Sequence, residues 1–530
     1  MRKKFYLLLA ATAISSISLT GCGGEDEQKE DAYSGDGKLA ISLRNLYFDD
    51  YQGGDSYIQE IERKFGVSLS FESYSWSQWE QQVSGQINGG NLPDVFHANI
   101  DSYNFALTYK FWAEEEIIKP LPSNLSYWPN IQKMILNTSN IQSLYVNGQL
   151  YGLPIAKSTT DYSTTFSPFT YIYRRDWAKQ FGVYQENDEY TWEQFINLLN
   201  VFSTQLASSN RYALGDVEWG YPSIINFYKQ VPHCFAYNEV TKQYVNNYTT
   251  PLYLQGLEMA KNFRNWGFYY PSQNSAADGQ LNKEYYGNKI GVLYENLSYS
   301  NYETLKTMLK RSNSSNPYFN VDDATAIMKI KGPDGKYALE GTDNWFSMTF
   351  FDNRISDTKM YKILSILDWL LSEEGTRFSI YGFEDYDYII NDEGEIELVE
   401  AYWPKADDGS YAPKRNGAKY LRYLASLGYD TLNYDPLTNK ESVEYLESWE
   451  NEMKAALDRD ELKVLKERPQ VMWLTTQLKS QLSGLMRTTA LNNVMKYVYG
   501  EISTLDEFCG KFGYPWPDVL AEINGAIGGY

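Results

Sequence analysis

The chain has 530 residues, enough for two or more hydrophobic cores. Its formal net charge of -21, with 68 acidic against 47 basic residues, leaves no basic footprint for phosphate backbones and excludes nucleic acid as a partner. Two histidines exclude a multi-histidine metal centre, and three cysteines are too few for a disulfide framework.

Arg2, Lys3 and Lys4 open the chain, an apolar stretch runs from Phe5 to Ile17, and Leu19-Thr20-Gly21-Cys22 follows, the three-part layout of an export signal. The apolar stretch is too short to span a membrane, and no later segment reaches the eighteen or so uninterrupted apolar residues a span needs. A small residue directly before cysteine resembles the bacterial lipobox, which implies removal of residues 1–21 and a lipid on Cys22. An ordinary signal peptide with a chance cysteine is the alternative. Residues 22–37, rich in Glu, Asp and Gly, read as the lipidated cysteine and a flexible tether. Cys234 and Cys509 either pair or stay separate thiols.

"KLAISLRNLYF" predicts a strand. Residues 54–76 then predict a helix with Tyr57, Ile58, Ile61 and Phe65 on one face, closed near Gly66 and followed by a second strand. "EQQVSGQINGGNLPDVFHAN" reads as helix, Gly turn, Pro and a third strand, and "WAEEEIIKPL" as a helix end turning at Pro120. Tyr151-Gly152-Leu153-Pro154 joins a flexible residue to a rigid one in an extended segment, which suits a hinge. In "YTWEQF", Thr191 and Gln194 have capping-box spacing. "KILSILDWLL" puts Ile363, Ile366, Leu367, Leu370 and Leu371 on one helical face, and "DYDYIINDEGEIEL" predicts a hairpin turning at Asp392-Glu393-Gly394. Strand and helix alternate, so the fold class is α/β with a mostly parallel sheet.

The order of segments resembles the extracellular solute-binding proteins of ABC importers, in the large lipoprotein branch that handles carbohydrates. The matching stretches run in register: "GGNLPDVF", "EEIIKPL", "VNGQLYGLPI", "YIYRRDWAKQFGV" with "YTWEQFINLL", "NKIGVLYEN", "IKGPDGK", the long stretch from "KILSILDWLL" to "DEGEIEL", and "YVYGEISTLDEFCGKFGYPW". The resemblance implies a two-lobed periplasmic-binding-protein-like fold with a hinge and a central ligand cleft. It implies an N-terminal lobe of residues 38–153 plus 283–345, a C-terminal lobe of 154–282 plus 346–530, and crossings near Tyr151–Ala156, Asn282–Gly287 and Asn344–Met348. The implied protein is a monomer on the outer face of the bacterial membrane, held through Cys22, with an oligosaccharide and the permease subunits as partners and no cofactor.

Ligands of open α/β sheets bind beyond the carboxyl ends of strands. The loops there offer Tyr47 and Asp49, then Trp76, then His97, Asn99 and Asp101. A sugar needs flat rings for its C–H faces and carboxylates or amides for its hydroxyl edge. Phe48 reads as core, and core roles compete at Tyr47 and Trp76. His97 is either a cleft donor or a buried, satisfied histidine, and Asp49 and Asp101 are also plausible helix caps. On the other lobe Trp219, in "GDVEWGYPSIINF", is similar in placement to the aromatic loop that maltose-type binding proteins offer to a sugar ring. Tyr294 and Asn296 end a strand, with Glu295 between them read as a surface charge. Trp345 lies beside a crossing, where hinge packing explains it equally well. Many longer relatives carry an EF-hand-like loop after the helix matching "EQFINLL"; here "STQLASSNRYALGDVEW" lacks the D-x-D-x-D-G spacing, so no calcium or other metal is expected. A secreted glycoside hydrolase would need two opposed carboxylates, and a surface adhesin or structural lipoprotein would lack a deep cleft. The sequence has no G-x-S-x-G, H-E-x-x-H or G-x-x-x-x-G-K motif, and it reads as non-enzymatic.

Overall fold

The computed structural model describes residues 29, 31–48, 51–75, 78–99, 105–156, 165–167, 169–216, 222–271, 280–403, 416–427, 439–468, 471, 474 and 476–527. The predicted Cys22, Asp49, Trp76, Asp101 and Trp219 lie outside them.

Thirteen strands build the three larger sheets among the described residues. The chain first lays down β1 (Leu39–Asn45), β2 (Val67–Ser73), β3 (Val95–Ala98) and β4 (Leu153–Ala156). It continues through β5 (Thr165–Phe166), β6 (Phe169–Arg174), β7 (Glu189–Tyr190), β8 (Tyr212–Gly215), β9 (Ile290–Asn296) and β10 (Thr325–Ile330). β11 (Tyr337–Thr342) leads into β12 (Trp345–Phe351), and β13 (Leu462–Leu465) comes late. The first five-stranded sheet has the order β2-β1-β3-β12-β4 and the second β8-β9-β6-β10-β7, while β13-β11-β5 form a small third sheet. Each large sheet has its own core, the first drawn from residues 39–156 and 345–425, the second from 171–330 and 471–523. The architecture is two-lobed α/β, as expected.

Local chemistry explains the helices on these sheets. Asp55 caps the helix Ser56–Phe65 by accepting from the Tyr57 and Ile58 amides, and Gly66 closes it at a φ of 66° that a side chain would resist. Tyr57, Ile58 and Ile61 face the first core and Phe65 is half-buried against it. Thr191 and Gln194 form the full capping box of the helix Trp192–Leu206, which buries Phe195, Leu198, Leu199 and Phe202 on the second sheet. The predicted hairpin pairs Tyr388–Ile390 with Ile396–Leu398.

The predicted lobe division needs correction. β9 and β10, expected with the N-terminal sheet, complete the second one, whereas β12 and the helix Asp357–Leu371, expected with the C-terminal lobe, complete the first. Met348 to Phe351 register antiparallel with Ala98 to Val95, and such pairing across 250 residues leaves no local trace in the pattern. The crossing expected at Asn282–Gly287 falls in the helix Gln280–Tyr286, which buries Leu281 and Tyr285 against the second sheet. The chain instead passes between the bodies after Ala156, at Asp343 and Asn344, and after Leu427. The last of these was not foreseen.

The described part of the predicted tether, Lys29 and residues 31–37, makes contacts that its composition does not predict. Lys29 Nζ pairs with Asp352 at 2.6 Å and reaches the Leu92 carbonyl, Asp31 bonds Ser356, and the Ala40 amide donates to the Ala32 carbonyl beside the start of β1. Burial pushes the Asp352 carboxyl up, but bonds from Arg354 and Lys29 outweigh that and hold it below the usual carboxylate value. No described helix is long and apolar enough to cross a membrane.

Candidate functional site

Strand direction singles out one edge of each large sheet. β1, β2, β3 and β4 point the same way, because β1 runs parallel to β2 and β3 while β3 and β4 both run antiparallel to β12. Their carboxyl ends therefore meet the start of β12, where the chain arrives from the other body. In the second sheet β8, β9 and β10 end at the edge where β6 begins. Crossings leave and enter at these edges, so residues just past the strand ends of one body lie toward the other.

On the first body this edge carries tyrosines. Tyr47, half-buried, stacks on the His97 ring with centroids 5.4 Å apart and planes 15° apart, and tilts against Tyr423 at 5.8 Å. Tyr420 lies flat on Tyr51 at 4.6 Å. Tyr420 and Tyr423 come from the short helix Gly417–Arg422 and the residue after it. Its neighbours Ala425 and Leu427 bond to Ala156 at the end of β4, which seats the segment on the same edge. Asn99, past β3, is half-buried there.

His97 is not a cleft donor. It is fully buried, with Nδ1 2.8 Å from Asn45 Oδ1 and Nε2 2.6 Å from Ser347 Oγ, and burial pushes its pKa down to about 3. The satisfied-histidine alternative is correct. Trp345 is a hinge-packing residue: it is 5% exposed and its indole N–H donates to the Ser139 carbonyl at 3.0 Å. Phe48 is core, as expected.

On the second body Tyr294 is half-buried, tilts on Tyr171 at 4.9 Å, and accepts from Asn226 Nδ2 at 3.1 Å. Burial raises both phenols well above the ordinary value, so they stay neutral donors. Asn296 accepts from the Ser298 amide at 2.9 Å in a turn ahead of the next helix. Glu295 is buried rather than a surface charge. Asp216, directly after β8, accepts from the Ser223 amide and hydroxyl with Oδ1, while its Oδ2 and Asn226 Oδ1 are buried without a partner among the described residues. Burial pushes Asp216 up to about 7, only partly offset by the Ser223 and Ile224 bonds. A cavity of about 20 Å³ touches Phe169, Asn226, Tyr294 and Trp449, which is room for one water.

Asp216, Asn226, Tyr420 and Tyr423 escaped the sequence reading. Asp216 had a signal, since it follows a strand end in "YALGD". The two tyrosines had only an i, i+3 spacing on a segment whose sheet was unknown. Among the described residues no three acidic, His or Cys side chains gather closely enough to hold a metal ion, and Cys234 and Cys509 are unpaired thiols. What the two edges offer is aromatic faces with phenol hydroxyls on one side and amide, phenol and carboxyl groups on the other, a set suited to polyhydroxylated ligands.

Residues 56–290 match the family profile of bacterial extracellular solute-binding proteins. A search of curated protein sequences gave no match. Among solved structures, an extracellular solute-binding protein of Bifidobacterium longum subsp. infantis superposes with a TM-score of 0.63 at 12% identity, covering 93% of this chain and 97% of its own. The alginate-binding protein AlgQ2 gives 0.62 at 12%, over 94% and 96%. The Streptococcus pneumoniae ABC-transporter substrate-binding protein FusA, an EF-hand mutant in complex with fructo-nystose, gives 0.60 at 14%, over 92% and 98%. At these identities the likeness is one of fold. The sequence match and the two-lobed fold agree, and over residues 56–290 the chain is similar to the bacterial extracellular solute-binding proteins.

Proposed function

We propose that the protein captures an oligosaccharide between its two bodies and delivers it to the permease of an ABC importer, acting on it by no chemistry. The observation that carries the sugar assignment is the tyrosine platform of Tyr47 and Tyr423 at the strand edge of the first body, to which the strand edge of the second body adds the polar pair Tyr294 and Asn226. Two of the solved structures similar in fold are described as an alginate-binding protein and as a complex with fructo-nystose, which supports the same class. In this reading Tyr47, Asn99, Tyr294 and Asn296 meet the sugar, together with Asp49, Trp76, Asp101 and Trp219. One lobe comprises residues 38–156 and 343–427, the other 165–342 and 439–527. The signal peptide is removed, Cys22 carries the lipid, and the monomer works on the extracytoplasmic face of the membrane. Closure then depends on contacts to both lobes, because a ligand that binds open and closed forms equally shifts nothing.

Calorimetry of the tether-free body against plant and host oligosaccharides tests this. Heat from at least one carbohydrate, with no shorter product by chromatography, is expected, at micromolar affinity or about 8 kcal/mol. No binding across the panel overturns the carbohydrate class, and release of shorter sugars overturns the non-enzymatic assignment.

A further inference from the structure

We propose that Ser347 and His97 are positioning residues that tie the hinge strand to the aromatic platform, so that the backbone state of β12 at the crossing fixes the ring of Tyr47. The inference rests on the reading of Tyr47 as a ligand-facing residue, but the link itself is visible without ligand.

Four contacts form one chain. Ser347 Oγ lies 2.6 Å from His97 Nε2, His97 Nδ1 lies 2.8 Å from Asn45 Oδ1, that oxygen accepts from the Tyr47 amide at 3.0 Å, and the Tyr47 ring stacks on the imidazole. Nδ1 faces both the Asn45 Oδ1 acceptor at 2.8 Å and the Leu46 amide at 3.4 Å; the shorter contact to an acceptor-only oxygen assigns the proton to Nδ1, and Nε2 then accepts from the Ser347 hydroxyl. The ring is neutral at any physiological pH, since its pKa is near 3. Direction is thus fixed along the whole chain, and each member depends on the one before it.

Its far end is the strained point of the hinge strand. Ser347 has a φ of 62°, in the left-handed region that strains a non-glycine residue. It sits where the register of β12 against β4 shifts between Trp345 and Met348. Three and four residues earlier the chain crosses between the bodies at Asn344 and Asp343. Asp343 is held by Ser139 and Asn140 of the first body and by Lys466 Nζ, past β13, at 2.9 Å. Bulges of this kind re-aim a side chain, and relaxing φ to the ordinary region swings Oγ away from Nε2. That leaves a buried acceptor without its donor and removes what holds the imidazole flat beneath Tyr47. By linkage, disturbing Tyr47 must bias the hinge in return.

The test uses the unliganded full chain. Ser347→Ala and Ser347→Gly are compared by hydrogen exchange; the glycine variant removes the hydroxyl while relieving the strained φ, so it folds. Exchange at the Tyr47 amide is expected to quicken about tenfold in both, with the helix Ser56–Phe65 unchanged. In the reverse direction, spin labels at exposed Leu136 and Val240, one on each body, in a Cys509→Ser background report lobe separation, and Tyr47→Ala is expected to shift or broaden the distance distribution. Wild-type exchange at Tyr47 in both serine variants, or an unchanged distribution in Tyr47→Ala, overturns the link. Failure of the wild type to bind any oligosaccharide would instead overturn the proposed function, and these two measurements would still decide the link.

Discussion

Asp216 is a buried acid with one oxygen satisfied. At 3% exposure, with its pKa near 7, it keeps its proton in the folded protein over a range where the unfolded chain has lost it. The folded value lies above the unfolded one, so its contribution to stability is complete below about pH 4 and is lost as pH rises toward 7. Asparagine keeps the acceptor that Ser223 uses and puts an N–H₂ where the protonated oxygen stands. Asp216→Asn is expected to flatten the decline between pH 4 and 7 and to add roughly 2 kcal/mol at pH 7.5, read by urea unfolding at pH 5 and 7.5. His97 acts with the opposite sense: its folded value near 3 lies below the unfolded 6.5, so stability is lost as pH falls through that window. An unaltered pH profile in Asp216→Asn would show that the carboxyl is ionised in the native state.

The helix Gly417–Arg422 presents half of the platform and depends on its first residue. A Cβ on Gly417 would lie 1.9 Å from Tyr51 Oη, 2.5 Å from Ile58 Cγ1 and 2.6 Å from Asp55 Oδ2. Two of these neighbours belong to the cap and first turn of the helix Ser56–Phe65, and neither can retreat cheaply. Gly417→Ala is expected to cost about 2 kcal/mol by overpacking and, by moving Tyr420 and Tyr423, to weaken oligosaccharide binding about tenfold in calorimetry. Gly35→Ala, into open space, is the control. This helix also marks how far the sequence can be read. Caps, amphipathic faces and the positions of Tyr47 just after β1 and Tyr294 near the end of β9 were legible, because each rests on residues a few positions apart. The placement of β9, β10 and β12, and the return of residues 416–427 to the first sheet, rest on hydrogen bonds between segments 78 or more residues apart. His97 could not be settled either, since its burial depends on Ser347, 250 positions away.

At the scale of the molecule, the strap formed by Lys29, Asp31 and Ala32 and the platform mark opposite ends of the first body. Lys29, Asp31 and Ala32 lie beside the start of β1 and Tyr47 follows its end, and seven residues of strand separate the two by about 23 Å. With Cys22 as the proposed lipid site, the chain from there to Lys29 reaches at most about 25 Å, so a pinned strap holds the end of the lobe remote from the cleft nearest the membrane. Turning the ligand edge toward a permease is easier if the strap lets go, which adds the span from Lys29 to Leu39 to the leash. The pin is Lys29 between Asp94 and Asp352, while Asp352 keeps Arg354 as a second partner, so loss of the lysine frees the strap without stripping the buried acid. In Lys29→Met, trypsin is expected to cut after Lys38 severalfold faster than in the wild type, while oligosaccharide affinity and the ligand-induced fall in radius of gyration by solution scattering stay the same. Cleavage at the wild-type rate would mean that the backbone pairing at Ala32 and Ala40 holds the strap by itself. Altered affinity would mean that the two ends of the lobe are coupled, which the separation of strap and platform argues against.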